Sequence, residues 1–98
     1  MTARETDPAA VTISGDGPPV VLIHGMGLNR HMWDGMVPAL TARFRVIRYD
    51  LPGHGDGPPP PEPCVLGDLV SQLDALLTAL DVARAALVGF SLGGTLAQ

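Results

Sequence analysis

Cysteine, basic clusters and long apolar runs are all scarce in these 98 residues. Cys64 stands alone, so no internal disulfide can form and no cysteine spacing points to a metal site. A reducing compartment accords with that, and a cytoplasmic protein without metal or cofactor is the expectation. Formal net charge is −4 and no basic run occurs, which removes the electrostatic footprint of a nucleic-acid binder. Apolar stretches are as short as Val20-Val21-Leu22-Ile23, far below the roughly 20 residues that a membrane span requires. Met1 to Asp7 is polar and lacks the apolar core of a signal peptide. No internal repeat is visible. What is present is apolar material, 46% of the chain, enough for the core of one small domain over 1–98.

The order of elements carries more information. Residues 1–10 read as a lead-in. Val11 to Ser14 alternates apolar and polar residues and stops at Gly15-Asp16-Gly17, a hairpin-type turn. Val20 to Ile23 is a continuous apolar run, the pattern of a strand buried on both faces, and it closes at His24-Gly25. Met32, Trp33, Met36, Val37 and Leu40 then share one helical face, with Pro38 absorbed as a kink or a break. Phe44, Val46 and Ile47 mark another strand, which ends at Tyr49-Asp50. A loop over 51–63 holds six prolines and cannot continue either regular structure. From Val65 to Leu80 the leucines and valines recur at three and four, which predicts a helix of about four turns. Ala85 to Val88 is a short strand, Gly89 to Gly94 a tight turn, and Thr95 to Gln98 the start of a helix. Alternation of strand and helix calls for an α/β fold, a mostly parallel sheet flanked by helices.

The chemistry concentrates at Gly89-Phe90-Ser91-Leu92-Gly93. A hydroxyl nucleophile must stand clear of the backbone beside donors for an oxyanion. The G-x-S-x-G pattern achieves this by setting serine on a sharp strand-to-helix turn, where neighbouring Cβ atoms would crowd. Here a strand precedes the pattern and helix-forming residues follow it, so Ser91 reads as the nucleophile and not as part of a mere glycine turn. In such an elbow, one oxyanion amide belongs to the residue after the nucleophile, Leu92. The other comes from a loop after an earlier strand, and His24-Gly25-Met26-Gly27 is that loop. Met26 is the candidate, because flanking glycines let the backbone approach a substrate.

Three segments together resemble the N-terminal half of the α/β-hydrolase superfamily: Val21 to Gly27, Arg48 to Gly55 and Val88 to Gly94. They stand in the family's order at near-family spacing, so the resemblance runs from about Val11 to Gln98. The chain is similar in style to bacterial 3-oxoadipate enol-lactonases, cofactor-free haloperoxidase-type esterases and related carboxylic ester hydrolases. Gly57 and a proline run stand where the family pattern has a serine. The resemblance implies an ester, lactone or related acyl group as small-molecule substrate, attacked by Ser91. Serine rather than aspartate at position 91 disfavours the dehalogenase and epoxide-hydrolase branches.

The other eye-catching side chains read as structural. Triads of this type run Ser, Asp or Glu, then His along the chain, so a base that precedes Ser91 breaks the order. His24 and His54 are expected to brace their loops, His31 to lie near a helix start without an evident partner, and Asp50 to anchor the turn into the proline-rich loop. Trp33 and Met36 are expected in the core or a pocket wall, and Cys64 as an inert thiol. Seven residues follow Ser91, and the resemblance implies that the acid and the histidine of the triad lie well beyond them. A fold truncated after the nucleophile elbow, inactive and aggregation-prone by itself, is therefore the expectation. The alternative is a non-catalytic remnant of the fold, or a binding module. Substrate identity and oligomeric state are not legible.

Overall fold

A computed structural model describes residues 10–60 and 65–89. The elbow segment 90–98, with Ser91 and Leu92, lies outside the described residues, as does Cys64. The elements in chain order are β1 (Val11–Ser14), β2 (Pro19–Ile23), a 3-10 turn (Arg30–Trp33), α1 (Val37–Thr41), β3 (Arg45–Tyr49), α2 (Leu66–Ala79) and β4 (Ala86–Gly89). They build one sheet in the order β1-β3-β2-β4. β3, β2 and β4 run parallel, while β1 joins β3 antiparallel.

Burial on both faces explains the unbroken apolar run of β2. Val21 and Ile23 join Ile47, Tyr49, Leu51 and the α2 residues Leu69, Leu73 and Leu76 in one core. Val20 and Leu22 point the other way and pack with Val46 and Trp33, flanked by Met32, Val37, Leu40 and Phe44. The period of two along each strand assigns alternate residues to opposite layers. A leucine such as Leu76, 1% exposed, contributes about 1.5–3 kcal/mol through burial alone.

The glycine turn at Gly15–Gly17 does not make a hairpin with β2. Instead it carries the chain across the end of β3, which lies between β1 and β2. The close passage needs glycine: a Cβ on Gly15, whose φ is +80°, would stand 2.5 Å from the Phe44 carbonyl oxygen. β2 takes parallel partners on both edges, so β1 is left to β3. Ala10, assigned to the lead-in from sequence, is already buried, and its carbonyl accepts from the Asp50 N–H at 3.0 Å.

The expected helix around Trp33 breaks in two. Pro38 sits in the first turn of α1, where its missing N–H costs nothing, so the helix restarts there instead of kinking. Trp33 remains in the core, while Met36 is exposed.

α2 keeps its predicted span. Asp68 in its first turn accepts from the Val65 N–H at 2.8 Å, and its carboxylate favours the positive helix end. At the other end, Val82 N–H reaches Leu77 O at 2.9 Å and Asp81 N–H reaches Thr78 O at 3.1 Å, a Schellman closure with Asp81 at φ +57°.

Candidate active site

Along the chain, β2 leads through α1 to β3 on one side, and α2 then returns the chain to β4 on the other side of β2. The strand order thus reverses between β2 and β4. In open parallel sheets, ligands bind beyond the carboxyl ends of the strands at such a reversal. Ile23 and Gly89, the last residues of β2 and β4, are register partners. In the sequence Met26 follows one by three residues and Ser91 follows the other by two.

The chain leaving β2 forms a tight turn in which Leu28 N–H bonds to Gly25 O at 3.1 Å. Gly27, its third residue, has φ +81° and Met26 does not have positive φ, the signature of a type II turn. Gly27 N–H donates to His54 Nε2 at 2.9 Å. Among the described residues no acceptor engages the Met26 N–H. The Met26 side chain is 69% exposed.

His24 and His54 brace loops in the same way. His24 Nε2 accepts the Leu51 N–H at 3.0 Å, so the proton sits on Nδ1, which donates to Gly25 O at 2.8 Å. His54 Nε2 accepts from Gly27, and its Nδ1 donates to Pro52 O at 2.9 Å. Both rings therefore have their nitrogens committed, and neither offers a free lone pair to a serine. Burial lowers the pKa of His24 from the ordinary histidine value, only partly offset by its bond to Gly25 O. His31 does have a partner, contrary to expectation: its Nδ1 lies 3.4 Å from Asp34 Oδ1, and both side chains are more than half exposed.

Asp50, fully buried, anchors the loops from β2 and β3. Its Oδ1 accepts the Arg30 N–H at 2.7 Å, and its Oδ2 accepts the Asp56 N–H at 2.9 Å and pairs with the Arg30 guanidinium. Arg30 Nε in turn donates to Thr12 Oγ1 at 2.9 Å. A Cβ on Gly55 would fall 2.5 Å from Asp50 Oδ2. Gln72 on α2 donates to the Asp50 carbonyl at 3.0 Å. Arg30 was missed from sequence: one arginine in a polar loop carries no sign of a partner twenty residues away.

A pocket of about 400 Å³ opens beside this edge, lined by Met26, Leu51, Pro52, His54, Leu66 and Leu69 among others. His54 is the only ionisable side chain among the described residues in its wall. Among the described residues, no group of three His, Cys, Asp or Glu converges as metal ligands would, and no helix is long and apolar enough to cross a membrane.

A family model described as alpha/beta hydrolase fold matches residues 18–98. The chain is 47% identical over 89 residues to a pimeloyl-(acyl-carrier protein) methyl ester esterase of Methylococcus capsulatus, covering 89% of this chain and 32% of that protein. The solved enol-lactonase of Burkholderia xenovorans superposes with a TM-score of 0.84 at 36% identity, over 88% of this chain and 35% of its own. The bromoperoxidase of Bacillus anthracis does so with 0.82 at 43% identity, over 87% of this chain and 31% of its own. The chain thus spans about a third of the length of these relatives.

Proposed function

The chain belongs to the alpha/beta hydrolase fold family, and from that membership we propose that it carries the nucleophile and oxyanion donors of a serine hydrolase. The substrate class is a carboxylic ester, lactone or similar acyl compound. Ser91 attacks the acyl carbon, and the backbone N–H groups of Met26 and Leu92 receive the oxyanion that forms. The observation that carries this reading is the register of Ile23 with Gly89. It sets the end of the strand that precedes Ser91 in sequence beside the end of the strand that precedes the Met26 turn, at the reversal of strand order. An unengaged Met26 N–H and a mostly apolar pocket beside it support the assignment of donor and acyl site. Similar proteins named as a methyl ester esterase and an enol-lactonase support the substrate class.

Proton transfer falls to a base other than His24, His31 and His54, all of which precede Ser91. The test is covalent labelling with a fluorophosphonate probe, which reports an activated serine, of this chain within a full-length protein that also supplies the base. Labelling of the wild type that disappears in Ser91→Ala is the expected result. An unlabelled wild type, or a Ser91→Ala variant labelled equally well, rejects the reading in favour of a non-catalytic member of the fold.

A further inference from the structure

The loops after β2 and β3 grip each other in both directions. His24 of the first receives the Leu51 N–H of the second, and His54 of the second receives the Gly27 N–H of the first. The two rings lie 5.1 Å apart between centroids, tilted by 48°. These bonds act at different depths. The His24 bond is buried and ties the strand ends together, whereas the His54 bond is at the surface and ends on the turn itself.

Gly25 is buried and its carbonyl is held by the His24 ring, but among the described residues no other hydrogen bond ties the exposed part of the turn, Met26 to Leu28, to the neighbouring loop. The position of a Cβ on Gly27 is open space, with no atom within 4 Å. The Met26 side chain is exposed and Leu28 is 40% exposed, so neither sinks an apolar anchor. The closing bond from Leu28 to Gly25 sets the shape of the turn but not its place against the neighbouring loop. His54 Nε2 sets the place.

We propose that His54 is a positioning residue, which through the Gly27 amide holds the Gly25–Leu28 turn so that the Met26 N–H meets the oxyanion. The inference rests on the assignment of Met26 as an oxyanion donor. Only the neutral ring with its proton on Nδ1 can serve, and the bond to Pro52 O selects that tautomer.

The experiment compares wild type, His54→Ala and His54→Gln in the same full-length protein with the same fluorophosphonate probe; glutamine offers an acceptor oxygen near the place of Nε2. Deleting an oxyanion donor outright costs roughly 10²–10³ in rate, so loosening one is expected to slow the saturating labelling rate of His54→Ala about 10-fold. The half-saturating probe concentration changes little, and His54→Gln recovers most of the rate. In parallel, amide exchange of Gly27 accelerates in His54→Ala and returns toward wild type in His54→Gln. Equal labelling rates in wild type and His54→Ala overturn the inference and leave the Ser91 reading standing. A wild type that is not labelled removes that reading and this one with it. Where His54→Ala fails to fold, His54→Gln decides: wild-type Gly27 exchange with a near-wild-type rate supports the role, and wild-type exchange with a rate still about 10-fold down overturns it.

Discussion

Asp50→Asn separates an anchor from a catalytic acid at the one buried carboxylate of this edge. The asparagine keeps the shape and one acceptor oxygen, which still suits the Arg30 N–H. Its amide nitrogen, however, replaces Oδ2 and faces two donors, the Arg30 guanidinium and the Asp56 N–H. The Arg30 side chain is only 10% exposed, so water cannot take over the lost charge. Breaking a buried pair on one side costs about 3–5 kcal/mol, and the exposed Asp56 carboxylate, 3.3 Å from the same guanidinium, offsets only part of that cost. A domain of ordinary stability has about 5–15 kcal/mol in all, so the variant is left near the edge of unfolding.

Urea denaturation reads this directly. With a slope of about 2 kcal/mol per molar, the midpoint falls by about 2 M. Adding Arg30→Met removes the stranded charge, so the double variant is expected to be more stable than Asp50→Asn alone, by about 1–3 kcal/mol of coupling. A midpoint within about 0.5 M of wild type, coupled with loss of fluorophosphonate labelling, would refute the anchor and make Asp50 a chemical group.

Three further outcomes follow from the same geometry. Gly55→Ala meets both the Asp50 carboxylate and a φ of +48°, whereas Gly27→Ala meets only a φ of +81° in open space; urea midpoints should show about 1–2 kcal/mol lost at Gly27 and clearly more at Gly55, and equal losses contradict the account. Asp81→Gly relieves a φ of +57° at the end of α2, so thermal melting should show a gain of about 0.5–1 kcal/mol, and a loss would mean that the Asp81 side chain holds more than the closure. His24 has its pKa lowered by burial, so the unfolded chain takes up the proton first, near 6.5. Stability is therefore fully present above that value and declines as pH falls below it. The His24 ring-proton titration by NMR should have its midpoint below 6.5, and a midpoint at or above 6.5 contradicts the buried, amide-accepting ring.

The features that were legible in the sequence are those with a local cause. Val20 to Ile23 reads as a two-face-buried strand, and the spacing from Leu66 to Leu77 reads as a helix, because each pattern needs only its own period. The bracing roles of His24 and His54 followed from chain order relative to Ser91 and the anchoring role of Asp50 from its place at a strand end, and the structure places all three in those roles. What escaped was non-local. The glycines before β2 pass equally well for a hairpin, and only the pairing of β3 with both neighbours shows that they bridge over it. The set from Met32 to Leu40 left open whether Pro38 kinks or breaks the helix, since the same side chains reach the core from two short pieces.

Why this edge relies on polar anchors follows from its composition. Gly25, Gly27, Gly53 and Gly55 allow the backbone to turn tightly, but they supply no side chain to pack. Loops of that kind would otherwise stay mobile, because a few exposed apolar contacts cannot offset the entropy of fixing them. Leu51 does reach the core, and three polar side chains fix the rest. His24 and His54 each take one backbone N–H from the opposite loop, and Asp50 takes those of Arg30 and Asp56. All four bonds consume donors, which is what a site for an anion must avoid doing everywhere. The Met26 N–H is the amide of that turn for which no acceptor stands among the described residues, beside an apolar pocket where a bound acyl group would exclude water. A donor fixed in advance and kept dry is worth far more to a developing oxyanion than one that must be reoriented.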